Sequence, residues 1–289
     1  MTFLSLGLVV LAALIHATWN LLAKRAAHAG VAFVFAYNLV AGIAYAPWVA
    51  WILLSDGMAW SLPVAGVILL SALIHLAYSL CLQRGYQVAD LSVVYPIARG
   101  TGPMLASVGA VVLLGEAISA PGLAGLLLVV AGIGLIATQG RFAAFRSAEA
   151  HRGVRWGLGT GALIAAYTVV DGWAVKRLGV LPVVLDWLSN TLRFFFLLPV
   201  ILRDPRGNMA RMRGHWRLAI AVGLLSPASY ILVLTALRMG APVHVVAPTR
   251  EMSMMAGALF GMIFLGEAVG RWRLAGCLLL VVGVVLLSG

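Results

Sequence analysis

Acidic side chains are scarce: nine Asp and Glu stand against twenty Lys and Arg in 289 residues, and charged residues are only 10% of the chain. An ordinary soluble domain is about half apolar and about a quarter charged. A chain that is 63% hydrophobic with a mean hydropathy of +1.04 is therefore a polytopic helical membrane protein, and no stretch fits a soluble domain. Cysteine is nearly absent. Cys81 and Cys277 both fall inside apolar runs, which argues against a disulfide framework or a metal cluster. No HExxH, GxSxG or Cys/His spacing is found, so an integral-membrane enzyme has no nucleophile or metal pattern to rest on, and no cofactor is implied. No Lys or Arg precedes the first apolar run, which continues into His16, Trp19 and Asn20, so a cleaved signal peptide is not expected. The net charge of +11 does not indicate nucleic acid, because the arginines sit between apolar runs, where positive-inside topology accounts for them.

What the chain does have is ten apolar runs of near-bilayer length, roughly 2–22, 31–54, 62–82, 91–114, 121–138, 156–175, 181–202, 217–237, 243–265 and 273–288. The fourth is the most informative. From Tyr95 to Glu116 it reads YPIARGTGPMLASVGAVVLLGE, carrying Arg99 in its interior and prolines at 96 and 103. Ionisable groups inside a span are costly and usually functional, and each proline frees a carbonyl that lipid cannot satisfy. Two readings follow. Either this bent helix faces a pathway, or Arg99 snorkels to the interface and the prolines only shape packing.

The same stretch returns as APTREMSMMAGALFGMIFLGE, Ala247 to Glu267. Pro96 maps to Pro248 at an offset of 152, whereas Arg99, Gly115 and Glu116 map to Arg250, Gly266 and Glu267 at 151. Lys24, Asn38, Pro47 and Tyr78 match Lys176, Asn190, Pro199 and Tyr230 at 152, and Gly125 and Gly132 match Gly276 and Gly283 at 151. A single deletion in the proline helix reconciles both registers. The chain thus divides into a five-helix repeat over 1–138, a linker over 139–155 read as a surface connector, and a second repeat over 156–289. Five is odd, so the repeats are inverted relative to each other, and residues that match lie on opposite sides of the midplane.

Polar residues form stripes. His16, Asn20 and Lys24 recur at i+4 steps in span one beside Trp19, either lining a pathway or clamping helices together. Span three puts Ser71, His75 and Tyr78 on one face, span six Tyr167 and Asp171, and span seven Asp186, Asn190 and Arg193. Span eight has Ser226 and Tyr230; span nine has His244, Arg250 and Glu251. The in-span ions, Arg99, Arg193 and Arg250 against Asp171, Asp186 and Glu251, are equal in number and either pair internally or meet a solute bearing both signs. The two Gly-Glu pairs read as helix caps: 115–116, just before Pro121 and span five, as a cap at a helix start, and 266–267 in the same way. The glycines of span five mark close helix approach or pairing with a second subunit, leaving monomer or homodimer open.

Sorting basic residues by loop places 14 on the side of loops 1–2, 3–4, 5–6, 7–8 and 9–10, and 3 on the other. Positive-inside topology then puts both termini on the outer, periplasmic face of a bacterial inner membrane. Arg99 lies about 12 Å into span four from the cytoplasm, and Arg250 similarly deep in span nine from the outside.

The two LGE endings, the prolines of spans four and nine, the Trp19-Asn20 region and the ten-helix duplication together resemble the drug/metabolite transporter superfamily, specifically its EamA-like exporters. The resemblance implies an all-α basket of ten helices around a central cavity, and export of small metabolites, often amino acids including aromatic ones. Carried over by position, the implied lining is His16, Trp19, Asn20, Tyr78, Tyr95, Arg99, Tyr167, Asp171, Tyr230, His244 and Arg250, with Pro96, Pro103 and Pro248 bending the helices. His244 and Glu251 are the candidates for proton coupling. Members are often drawn with cytoplasmic termini, the reverse of what the charge bias gives here. Alternative cargoes within the superfamily are sugars, organophosphates or drugs. The expected partners are a small-molecule substrate and membrane lipid.

Overall fold

The computed structural model describes residues 1–289 except 56, 89–90, 141–147, 257–269 and 289. Its described residues form α1 (Phe3–Arg25), α2 (Gly30–Ser55), α3 (Leu62–Val88), α4 (Leu91–Leu114), α5 (Ala120–Thr138), α6 (Ala148–Arg177), α7 (Pro182–Arg203), α8 (Pro205–Met212), α9 (Trp216–Arg238), α10 (Val243–Thr249) and α11 (Arg271–Ser288). Nine helices among the described residues are long and apolar enough to cross a membrane. The tenth expected span, 243–265, is helical over α10, turns at 250–251 and is helical again over 252–256, beyond which it lies outside the described residues.

Local chemistry sets the helix ends. Ser119 caps α5 by accepting from the Gly122 N–H at 3.2 Å, with Pro121 in the first turn, where its missing N–H costs nothing. Gly115 ends α4 with φ +71°, a left-handed conformation that glycine adopts without strain, and the Glu116 N–H returns to the Ala110 carbonyl at 3.1 Å. Three boundaries differ from the sequence expectation. α6 begins at Ala148 rather than 156, so its first turns lie in the stretch expected to be linker: hydropathy locates a bilayer crossing, but helix-forming residues such as Ala148 and Ala150 extend a helix beyond it. α3 continues past 82 to Val88 for the same reason. α8 was not foreseen, although Asp204-Pro205 is a helix-start signal: the Asp204 carboxylate accepts from the Gly207 N–H at 3.0 Å.

The most extensive helix contacts are α5 with α11, α4 with α6, α1 with α9, α3 with α6 and α2 with α7. Two glycines of α5 meet another helix of the same chain. A methyl group built on Gly125 would sit 2.5 Å from the Gly283 carbonyl oxygen, and one on Gly132 would sit 2.6 Å from that of Gly276, so α5 and α11 meet backbone to backbone. Large apolar side chains such as Trp51, Leu62, Val112, Leu113 and Leu278 point outward, as a lipid-facing perimeter requires. The central core gathers around Val9, Ala98, Ile164, Tyr167, Tyr230 and Leu237, contributed by α1, α4, α6 and α9.

Candidate functional site

Arg99, on α4, is 6% exposed and stands at the centre of a polar cluster inside the helix bundle. α4 continues as one helix through Pro96 and Pro103, whereas the chain turns immediately after Pro248 and Thr249. That turn presents Arg250 and Glu251 toward α4. Arg99 Nε lies 3.0 Å from Glu251 Oε2, close enough for strong attraction but out of line for a hydrogen bond. Arg99 Nη2 donates to Ser253 Oγ at 3.0 Å and faces His16 Nε2 at 3.1 Å. The other ring nitrogen of His16, Nδ1, faces Arg250 Nη2 at 3.4 Å. The guanidinium groups also sit over rings: Arg99 is 5.7 Å from the Tyr95 centroid and Arg250 is 5.2 Å from that of Tyr230.

This arrangement has more donors than acceptors. Guanidinium nitrogens only donate, and an imidazole has at most one nitrogen free to accept. Both nitrogens of His16 face a guanidinium, so at most one of the two contacts is a hydrogen bond, and the other sets donor against donor or joins no proton at all. The shorter distance assigns the bond to Arg99. An N–H of His16 and one of Arg250 then converge on the same space.

A second cluster stands behind the first. Asp171 on α6 is 1% exposed; its Oδ2 accepts from the Tyr230 hydroxyl at 2.5 Å and lies 2.9 Å from His75 Nε2. Its other oxygen is buried with no hydrogen-bond partner among the described residues. The His75 ring stacks on Tyr167 with centroids 4.1 Å apart, and Tyr78 and Tyr230 meet Tyr167 edge-on. Between the two clusters lies a cavity of about 20 Å³, walled by Arg99, Tyr167, Tyr230, Arg250 and Glu251 with Ile164, Val233, Leu237 and Val246. It has room for about one water molecule.

The structure therefore brings His16, Tyr95, Arg99, Tyr167, Asp171, Tyr230, Arg250 and Glu251 to one region, with Trp19 edge-on to His16 and Tyr78 against Tyr167. Asn20 is placed differently, its amide donating to the His16 carbonyl one turn back at 3.0 Å. Trp19 Nε1 donates to Ser229 Oγ at 3.3 Å, tying α1 to α9. His75 and Ser253 were not among the expected lining residues. His75 carried a signal, since it shares the polar face of span three with Tyr78; Ser253 carried none beyond its place one turn from Thr249.

His244 stands apart, at the first turn of α10, where it meets Glu116. The Glu116 carboxylate accepts from Lys176 Nζ at 2.7 Å, from the Val243 and His244 N–H groups at 2.8 and 3.1 Å, and lies 2.8 Å from His244 Nδ1. Burial acts to raise the Glu116 carboxyl, but these contacts with His244, Lys176 and the two backbone N–H groups outweigh it and bring it down to about 2. Glu116 does cap a helix, though not α5, which follows it: Ser119 holds that position, and Glu116 caps α10 across the bundle. Its counterpart Glu267 lies outside the described residues. On α7, Asp186, Asn190 and Arg193 satisfy one another along the helix, with Asn190 donating to Asp186 at 2.8 Å and Arg193 to Asn190 at 2.6 Å. Among the described residues no group of three or more His, Cys, Asp or Glu is placed to hold a metal ion.

Comparison with known proteins agrees with this architecture. Residues 151–289 match the model of the EamA-like transporter family. Over 82 residues, 28% of its length, the chain is 40% identical to the multidrug resistance protein EbrB of Bacillus subtilis (strain 168) and, over the same length, 39% identical to EbrB of Bacillus atrophaeus. The chain spans 65% of the length of each of these relatives. A solved crystal structure, 18% identical, matches over 98% of both chains with a TM-score of 0.74, so the fold is shared along the whole length.

Proposed function

We propose that this chain is a membrane transporter that moves small carboxylate-bearing metabolites, amino acids among them, by alternating access through the cavity between Arg99 and Asp171. The observation that carries the reading is the buried surplus of donors at His16, Arg99 and Arg250 beside a polar second cluster, all within a bundle of membrane-length helices. Buried cations without matching acceptors are expensive in a membrane, and a carboxylate ligand supplies the missing acceptors. The EamA-like family match over the second half and the shared fold support a transport function.

Export from a bacterial cytoplasm, through the inner membrane and with both termini on the outer face, is the direction and orientation that the resemblance and the loop charges support. Ten spans in two inverted repeats suit this mechanism, because inverted halves exchange conformations about a central site. Glu251 lines the cavity and is the first residue to test for proton coupling; His244, held at Glu116, is the second. The transporter class, and not an enzyme, is what the family match supports.

The test is uptake of labelled phenylalanine and leucine into vesicles holding the purified protein, with and without a pH gradient. Saturable uptake above empty vesicles, reduced by unlabelled competitor, is expected. Folded protein that moves neither amino acid nor any carboxylate competitor refutes the reading. Export of drugs is a second reading, favoured by the match to relatives named for multidrug resistance, and it predicts that a structurally diverse drug panel competes better than the amino acids.

A further inference from the structure

We infer that the pocket binds carboxylates that lack an ammonium group, with an apolar or aromatic body, in preference to zwitterionic amino acids. The inference refines the transporter reading and rests on it for the location of the site. It comes from following each buried charge to its partner.

Three charged groups face the cavity: Arg99, Arg250 and Glu251. Glu251 is committed to Arg99 at 3.0 Å. Arg250 approaches His16 at 3.4 Å and the Tyr230 ring, neither of which supplies a formal negative charge, and Glu251, whose field it also shares, is already paired with Arg99. The cavity wall therefore carries one positive charge more than negative. Asp171 does not restore the balance at the wall. It is 1% exposed, it does not line the cavity, and its Oδ2 is already engaged by Tyr230 and His75. A substrate ammonium group entering here would have to displace Arg99 from Glu251 or break the Tyr230 and His75 contacts of Asp171. A carboxylate displaces nothing of that kind. It accepts from Arg250, whose side chain lines the cavity, and cancels the excess charge.

The rest of the wall selects the body of the ligand. Ile164, Val233, Leu237 and Val246 are aliphatic, and the Tyr167 and Tyr230 rings present aromatic faces or edges. Neither a phosphate ester nor a sugar suits such a surface, which holds few polar groups beyond the cluster itself. The ligand class is a monocarboxylic acid with its charge at one end and an aryl or alkyl group at the other.

A matched series isolates the amine. 3-Phenylpropionate, phenylalanine and 2-phenylethylamine share one body and differ in carrying a carboxylate, both groups or an amine. Binding to the purified full-length protein is measured by calorimetry, and transport by counterflow in vesicles. The expected order is phenylpropionate first, phenylalanine at least about 10-fold weaker and phenylethylamine not bound, since a misplaced buried ion forfeits more than one charged hydrogen bond. Arg250→Gln should weaken phenylpropionate binding about 10- to 100-fold, and Arg250→Lys should recover part of it. The wild-type series needs no variant to fold. Phenylalanine binding as tightly as phenylpropionate, or tighter, overturns the inference while leaving a transporter in place. Phenylpropionate that binds but is not carried leaves the inference standing and removes the transport reading. No binding of any of the three overturns the inference.

Discussion

Replacing Arg99 by Ala removes the partner of a carboxylate that is 2% exposed. At 3.0 Å and an effective dielectric constant near 20, the attraction between Arg99 and Glu251 is about 5 kcal/mol. Breaking a buried pair from one side leaves the other charge uncompensated and costs about 3–5 kcal/mol, whereas replacing both members by apolar groups of similar size is often close to neutral. Arg99→Ala and Glu251→Ala should each therefore lose about 3–5 kcal/mol. Arg99→Met with Glu251→Leu should recover most of that, falling short of the wild type by about 2 kcal/mol, because the contacts of Arg99 with Ser253 and His16 are still missing. The assay is reversible unfolding in mixed micelles, with denaturing detergent titrated against helical signal. The double variant should remain inactive in vesicles, since a restored fold does not restore the charge. Two results refute the reasoning: an Arg99→Ala protein within 1 kcal/mol of the wild type, or a double variant as unstable as the worse single one, which would place the cost in the hydrogen bonds and not in the ion pair.

Tyr230→Phe takes from Asp171 one of the two partners of Oδ2, leaving His75, while Oδ1 is already unpartnered, so it should cost about 1.5–3 kcal/mol in the same unfolding assay; a change below about 0.5 kcal/mol would show that the hydroxyl contact does not hold the site. Gly125→Ala brings a methyl within 2.5 Å of the Gly283 carbonyl and should cost about 1–3 kcal/mol by parting α5 from α11, whereas Gly134→Ala, which meets nothing within 4 Å, should be neutral or slightly stabilising. Glu116 gives a pH signature. Its carboxyl lies lower in the folded protein, at about 2, than its ordinary 4.5, so its contribution is fully present above about 4.5 and is lost as pH falls toward 2. Unfolding followed from pH 6 to pH 2 should show that acid-sensitive component in the wild type, and Glu116→Gln should lack it.

How much of this the sequence disclosed depends on the range of the interaction. The spans were legible because a bilayer imposes a length and a polarity that hydropathy measures directly. Arg99, Arg250 and Glu251 stood out because a charge in such a run is conspicuous. What was not legible was who meets whom across the bundle. The place of Arg250 and Glu251 next to Arg99 depends on the turn after Thr249; Pro248 marked a bend there, but Pro96 and Pro103 marked the same in α4, which passes unbroken through both. Glu116 was read as a cap from its local position, and the local rule named the wrong helix because Ser119, three residues later, satisfies α5 first.

The duplication seen in the sequence gives meaning to several contacts. Under the repeat, Gly125 corresponds to Gly276 and Gly132 to Gly283, yet each packs against the counterpart of the other, Gly125 on Gly283 and Gly132 on Gly276. That exchange is the one the proposed inverted repeats would produce. The pairing of α1 with α9 likewise maps onto that of α6 with α3. The clasp at Glu116 also crosses between the two halves of the sequence. It joins the loop after α4, in the first half, to the end of α6 and the start of α10 in the second. One turn below His244, Ala247 reaches the level of the cavity wall. Under the transport proposed above, admitting a solute from that side would part α4 from α10 and exchange four contacts on a single carboxylate for water. The carboxylate binding proposed at Arg250, on the same stretch of chain, would act next to the helix that Glu116 holds, so occupation of the site and release of the clasp would bear on one element.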